Sequence, residues 1–174
     1  MNSIFTRRSI RTFTPQPIEP EKIDRLLRAA MQAPSANNTR PWEFIVVKDL
    51  ATREKVAALN PYAKAAIQCD TCIIVLANME KSVTGGFYWA QNIAICTQNI
   101  LLQAVEEGLG GVWLGYYPRE ERVAGLSDIF NLPDHIIPYA VIALGYPDRG
   151  TNHFIDRYDE SVIHYEAYTP NTAE

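Results

Sequence analysis

The strongest constraint on the fold comes from two almost wholly apolar runs, CIIVLA at residues 72–77 and YAVIALGY at residues 139–146. Such runs predict strands that are buried on both faces, because a strand with one solvent-facing side alternates apolar and polar residues. Further strands are predicted at residues 43–47 and 111–117. Helical segments alternate with these strands along the chain, so the predicted class is α/β or α+β, with four or five strands.

The predicted helices differ in how much of their surface is apolar. A helix that begins at Pro20 has one apolar face, and shorter helices are predicted at residues 52–59 and 119–130. The longest helix, predicted at residues 87–107 and ended by Gly108, is apolar on nearly every side. Such a helix needs burial in a large core or, in a domain this small, against a second subunit.

The N-terminal arm, residues 1–18, carries three arginines and no acidic residue, although the whole chain has a net charge of −4. In an extended chain Arg7, Ser9 and Arg11 share one side and Arg8 points to the other. Arginine forks and a serine hydroxyl make a clamp for a small phosphate, while a solvated basic tail is the alternative. The acidic remainder disfavours binding to nucleic acid or to an anionic membrane surface.

Length and apolar patterning predict one domain over residues 1–174 in a cytoplasmic protein. No stretch approaches the roughly 20 apolar residues that a membrane span needs, and the N-terminus lacks the apolar run of a signal peptide. The glycine-rich residues 108–115 follow a helix and open a strand, which is the wrong order for a dinucleotide fingerprint.

The three cysteines suggest neither a disulfide framework nor a metal site. Cys69 and Cys72 have the spacing of a redox or half-zinc pair, but no second pair or histidine at ligand spacing accompanies them. A reactive pair is expected to open a helix, whereas Cys72 opens a strand, so buried, inert thiols are the favoured interpretation. With no serine elbow, P-loop, HExxH or carboxylate dyad, difficult chemistry would fall to an organic cofactor.

Four segments in order resemble the nitroreductase family of FMN-dependent oxidoreductases: RRSIRTF, APSANNTRPWEFIVV, WAQNIAICTQNILLQAVEEGLGGVWLGYYP and YAVIALGYP. The similarity extends over residues 6–168. It implies an α+β fold with a mainly antiparallel sheet flanked by helices, in an intertwined homodimer with FMN at the interface. The C-terminal segment, residues 148–174, is rich in aromatic residues and is expected to pack on the partner subunit.

The resemblance also implies which residues hold FMN. The arm residues implied to contact the phosphate, the ribityl chain and the pyrimidine edge are Arg7, Arg8, Ser9 and Arg11. The segment that the second subunit lays over the flavin is implied to include Pro34, Ser35, Ala36 and Asn38. The strand at Leu114 and Gly115 is implied to face the ring, with the Gly115 backbone near N5. Asn60 and Lys64 are placed near the ring, and Arg157, with Arg149 in reserve, at the phosphate.

The implied activity is hydride transfer from NADH or NADPH through flavin N5 to a nitroaromatic, a quinone or a similar small acceptor, with ping-pong kinetics and no catalytic side chain. Arg8 or Lys64 would stabilise charge on the flavin. Ala36, Arg40 and Asn92 stand where relatives often have serine, glutamine and aspartate, which bears on the acceptor. Alternatives are reductive dehalogenation or flavin fragmentation on the same fold, a non-catalytic flavin-binding regulator, and nucleic-acid binding through the arm.

Overall fold

The computed structural model describes residues 2–82 and 86–168. Within these ranges the helices are α1 (Ser3–Thr6), α2 (Pro20–Met31), α3 (Leu50–Ala58), α4 (Lys64–Gln68), α5 (Trp89–Glu106) and α6 (Glu120–Phe130). The strands are β1 (Trp42–Val47), β2 (Thr71–Asn78), β3 (Gly110–Gly115) and β4 (Ile136–Gly145).

The described strands form one sheet in the order β1-β2-β4-β3, and every neighbouring pair is antiparallel. Antiparallel pairing decides between the two classes that the sequence left open, and the α+β fold is confirmed. The apolar runs lie in the two central strands. Every residue of β2 is buried, as is β4 from Ala140 to Gly145.

Alternating side chains divide the sheet into two faces with separate cores. Ile73 and Val75 of β2 pack on the side of α2 and α5, together with Ile142 of β4. The intervening residues Ile74 and Val141 pack on the other side, with residues of α3, α4 and α6. Helices on both faces explain why the central strands carry apolar residues at every position.

Helix α5 is shorter than predicted and is buried on one side only within a single chain. Phe87 and Tyr88 precede the helix and are 79% and 53% exposed, and Ile95 on the helix is 40% exposed. The predicted end is confirmed. Gly108 has a φ of +73°, and the N–H of Leu109 donates to Ala104 O at 2.8 Å, which is a glycine C-cap.

Two short helices, α1 and α4, were missed by the sequence analysis. Each is too short to show a helical repeat of apolar residues. Arg53 of α3 stabilises the end of α4, because its guanidinium donates to Ala66 O at 3.1 Å and to Ile67 O at 2.9 Å. Only 8% of Arg53 is exposed, so this cation is inside the protein.

The arm is packed along the β3 edge of the sheet after α1. Ser9 pairs in parallel with Gly111, and the N–H of Ile10 donates to Gly111 O at 3.0 Å. Farther on, the N–H of Thr14 donates to Tyr146 O at 2.8 Å. Ile10 is 3% exposed. These contacts exclude a freely solvated tail for residues 8–14.

The C-terminal segment passes back over the arm and then becomes exposed. Asp148 donates its N–H to Thr12 O at 3.1 Å, whereas Tyr158, Tyr165 and Tyr168 are each more than 70% exposed. Residues 169–174 of the segment predicted to pack on a partner lie outside the described residues. Among the residues that are described, no helix has the length and apolarity needed to cross a bilayer.

Candidate functional site

A basic cleft of about 530 Å³ lies between the arm and the start of the C-terminal segment. Its lining residues include five arginines and no acidic side chain: Arg7, Arg8, Arg11, Arg149 and Arg157. Ser9, Thr12, Thr151 and His153 add polar groups. Arg157 and the reserve candidate Arg149 therefore reach the same cleft, and the four predicted arm residues lie there with them.

The arginines of the basic cleft repel one another. Burial, the Arg157 charge and the Arg8 charge, in that order, lower the pKa of Arg7 from its usual value. Within the described residues, one arginine of this cluster forms an ion pair: Arg149 Nε lies 3.8 Å from Asp148 Oδ2, and both side chains are largely exposed. Concentrated positive charge in a chain of net charge −4 is the signature of an anion site, and arginine forks suit a phosphate best.

A second cavity, the edge groove, adjoins the basic cleft and shares Arg11 with it. It has a volume of about 520 Å³ and is lined by residues 112–115 of β3 together with Arg11, Asn60, Tyr62 and Arg122. A Cβ atom on Gly115 would find nothing within 4 Å, so the backbone there faces open space. A flat group can lie directly against this strand.

Backbone groups of β3 point into the edge groove. Gly111 turns its C=O away from β4 to accept from Ile10, and alternate residues of an antiparallel strand point to the same edge. Trp113 and Gly115 therefore present their backbone groups to the groove. Gly115 O accepts from Asn60 Nδ2 at 3.1 Å and from the Arg122 guanidinium at 3.0 Å, which leaves the N–H of Gly115 as the facing donor.

Polar bridges fix the arm and the C-terminal segment relative to each other. Asn152 Oδ1 accepts from the N–H of Arg8 at 3.1 Å, while its Nδ2 donates to Leu109 O at 3.0 Å. Thr12 Oγ1 donates to Arg149 O at 3.1 Å and accepts from the N–H of Arg149 at 3.3 Å. Sequence analysis missed both bridging residues, because their partners are remote in the chain and no local motif marks them.

The PSANN loop is not brought to the cleft within one chain. Pro34, Ser35, Ala36 and Asn38 precede β1, at the edge of the sheet opposite β3, and line neither cavity. Asn92 of α5 holds the loop, since its Oδ1 accepts from the N–H of Ala36 at 3.0 Å. Their predicted role over the flavin belongs to a second subunit and stays a prediction.

Lys64 is a further predicted site residue that the structure does not bring to either cavity. It is exposed at the first position of α4 and is not among the lining residues of either cavity. Asn60, only 3% exposed, does reach the edge groove, where Leu114 and Gly115 also lie. Tyr62 and Arg122 line the groove as well and were missed.

Comparison with known proteins identifies relatives of the whole chain. Residues 4–70 and 58–146 match the model of the Nitroreductase family. A protein of Methanothermobacter thermautotrophicus, named as a candidate NADH dehydrogenase/NAD(P)H nitroreductase, is 42% identical over 97% of this chain and 87% of its own length. The family predicted from the four segments is confirmed.

Solved structures share the fold over nearly the whole chain. The crystal structure of a candidate NADH oxidase from Clostridium acetobutylicum has a TM-score of 0.93 and 46% identity, covering 96% of this chain and 100% of its own. A candidate nitroreductase from Desulfovibrio desulfuricans, solved in complex with FMN, has a TM-score of 0.80 and 27% identity. That comparison covers 97% of this chain and 96% of the other.

Proposed function

Because this chain belongs to the nitroreductase family, we propose that it is an FMN-dependent oxidoreductase that passes electrons from NADH or NADPH to a small organic acceptor. One observation carries the proposal: the five-arginine cleft opens through Arg11 into a groove along the open edge of β3. The relative from Desulfovibrio desulfuricans, which is solved with FMN, supports the same cofactor.

The residues present fit FMN in both chemistry and shape. A phosphate is satisfied by arginine forks from the arm and from Arg157, with Ser9 adding a hydroxyl. A flat ring fits the edge groove, where Gly115 has no side chain and a Cβ atom would find open space. Asn60 borders the same groove. FMN, when bound, supplies the hydride-accepting and electron-donating chemistry for which the chain has no candidate side chain.

The chain's own residues bind, orient and tune the cofactor. We assign the N–H of Gly115 to the N5 edge of the ring, since it faces the groove and Gly115 O is already taken by two donors. Arg11 lines both cavities, so its guanidinium is placed to stabilise negative charge that develops between them. Arg11 takes the role that sequence analysis gave to Arg8 or Lys64.

We assign the incomplete wall of the site to a second copy of the chain. The PSANN loop lies away from the cleft of its own chain. Exposed Phe87 and Tyr88, just before α5, and Ile95 on the helix give a partner an apolar surface. The exposed tyrosines of the C-terminal segment extend this surface. A homodimer with FMN at the interface accounts for all three features.

The acceptor that fits this arrangement is a flat, small molecule such as a nitroaromatic or a quinone. A donor nicotinamide and an acceptor would stack in turn on the same open side of the ring, which produces ping-pong kinetics. We assign the choice of acceptor to Tyr62, which lines the groove, and to the partner's loop with Ala36.

The absorption spectrum of the purified protein tests the proposal, recorded before and after anaerobic addition of NADH or NADPH. We expect oxidised-flavin bands that bleach with the nucleotide and return on addition of a nitroaromatic or a quinone. Bands that neither nucleotide bleaches would favour a flavin-binding regulator. Flavin lost after reduction and exposure to oxygen would favour fragmentation, and failure to bind added FMN would refute the assignment of the basic cleft.

A further inference from the structure

Two cysteine thiols lie in contact at the junction of α4 and β2. Cys69 follows the last residue of α4 and Cys72 is the second residue of β2, and their sulfur atoms are 3.5 Å apart. Both are buried, with 3% and 0% of the residue exposed. A disulfide between them would require this separation to close to about 2.05 Å.

A buried cation lies beside one of these thiols. The Arg53 guanidinium donates to Cys69 O and lies 3.9 Å from Cys69 Sγ. It also donates to carbonyl oxygens of residues 48, 66 and 67, and no carboxylate pairs with it among the described residues. A buried cation without a counterion favours an anion at the nearest group that can lose a proton, and that group is the Cys69 thiol.

The two thiols are therefore unequal. The hydrogen bond from Cys72 and then the Arg53 charge, working against burial, lower the pKa of Cys69. Donation of that hydrogen bond, together with burial, raises the pKa of Cys72. The Arg53 charge beside Cys69 favours the thiolate at Cys69 over the thiolate at Cys72, which is the asymmetry of a dithiol with an attacking and a resolving member.

We propose that Cys69 and Cys72 form a reversible redox pair, in which a small peroxide oxidises the two thiols to a disulfide. This inference does not rest on the proposed function. Sequence analysis favoured inert thiols because no helix N-terminus is available to stabilise a thiolate. In the fold, Arg53 comes from α3 and supplies a full positive charge at that point, outweighing the unfavourable partial charge of the α4 C-terminus.

The oxidation balances with hydrogen peroxide as the oxidant. The Cys69 thiolate attacks one oxygen, the S–O bond forms, the O–O bond breaks, and hydroxide takes up the proton that the thiol had released, giving water. Cys72 sulfur then attacks Cys69 sulfur, the S–S bond forms and the S–O bond breaks. The departing hydroxide takes the Cys72 proton as a second water. The dithiol loses two electrons and one peroxide is reduced.

Thiol counting on the native protein tests the pair, with Cys96 as an internal control. Cys96 is fully buried in α5, and burial raises its pKa to about 12. After treatment with hydrogen peroxide, the protein is denatured in the presence of a maleimide, which labels the free thiols, and its peptides are mapped by mass spectrometry. We expect a peptide linking Cys69 to Cys72, lighter by two hydrogen atoms, with Cys96 labelled as a free thiol. Dithiothreitol should restore all three thiols.

Two variants separate the roles of the pair. In Cys72→Ala the disulfide cannot form, so dimedone should trap a sulfenic acid at Cys69, whereas Cys69→Ala should give no adduct at Cys72.

Arg53→Lys keeps a positive charge and should oxidise at nearly the parent rate. Arg53→Met should oxidise on the order of threefold more slowly for each unit that the Cys69 pKa rises, because a tenfold loss of thiolate is partly offset by higher nucleophilicity.

The inference is overturned if all three thiols survive the peroxide dose, or if Cys96 reacts at the same rate as the pair. The first result would show that the contact is packing alone, and the second that oxidation follows unfolding. Should Arg53→Met fail to fold, the dimedone assay on Cys72→Ala still decides the outcome. Flavin content is read separately from absorbance, so failure of the redox pair leaves the proposed function untouched.

Discussion

Replacing Gly110 by alanine tests whether the edge of the sheet holds the arm in its binding position. A Cβ atom at Gly110 would lie 2.7 Å from both Cβ and Cγ2 of Ile10. Ile10 is 3% exposed, and its N–H donates to Gly111 O at 3.0 Å, so the side chain has little room to retreat without lifting the arm. Overpacking of this kind destabilises a protein by about 1–3 kcal/mol.

Displacement of Ile10 should also weaken FMN binding, because the arginines of the arm lie on both sides of it. One charge-assisted hydrogen bond contributes about 1.5–3 kcal/mol, so losing a single contact raises the Kd about tenfold or more. We expect Gly110→Ala to lower the Tm by about 2–4 °C for each kcal/mol of destabilisation. The Kd for FMN should rise in the same variant.

Gly115→Ala is the matched control, since it makes the same chemical change in the same strand. A Cβ atom there meets nothing within 4 Å, so the free energy of unfolding should change by less than about 0.5 kcal/mol. The added methyl group enters the edge groove, however, and should raise the Kd for FMN. Gly110→Ala thus changes stability and binding together, and Gly115→Ala changes binding alone.

Thermal unfolding is measured at several FMN concentrations, and the Tm is extrapolated to zero FMN. The extrapolated Tm reports the stability of the protein without the stabilisation that bound ligand adds. Fluorescence titration gives the Kd. A Gly110→Ala protein with the parent Tm and Kd would refute the view that the β3 edge positions the arm. A Gly115→Ala protein that binds FMN as tightly as the parent would refute the placement of the ring against β3.

Three further predictions address the phosphate site, the core and the acid response. Arg157→Gln should raise the Kd for FMN about tenfold or more but leave riboflavin, which has no phosphate, unchanged; equal effects on both ligands would contradict the assignment. Tyr116→Phe removes a buried hydrogen bond of 2.7 Å to a carbonyl of α3, so chemical denaturation should show a loss of about 1–2 kcal/mol, whereas exposed Tyr62→Phe should show none. Glu107 accepts a hydrogen bond from Arg25, which lowers the pKa of Glu107 in the folded state below 4.5. The ion pair therefore stabilises the folded protein above pH 4.5, and this stabilisation is lost as the pH falls further. Glu107→Gln should flatten the pH dependence of the free energy of unfolding in that range. An unchanged acid slope in Glu107→Gln would show that the ion pair does not contribute.

Local patterns predicted much of the fold because they report burial directly. The apolar run at residues 72–77 lies in a strand that is buried at every position, and Gly108 ends α5, as the sequence predicted. Both features could be predicted because each depends only on residues that are close together in the chain. Helices α1 and α4 left no such signal, because each is shorter than two helical turns. Their positions depend on contacts from elsewhere, as when Arg53 stabilises the last carbonyls of α4.

The sequence by itself determined the chemistry of the site, and the tertiary structure decided which groups meet. Arg7, Arg8 and Arg11 predict a phosphate site from the sequence alone, because arginine carries its fork and charge in any fold. That Arg149 and Arg157 line one cleft with them follows from the return of the C-terminal segment over the arm. Such contacts join residues more than a hundred positions apart, so they cannot be predicted from the pattern of neighbouring residues.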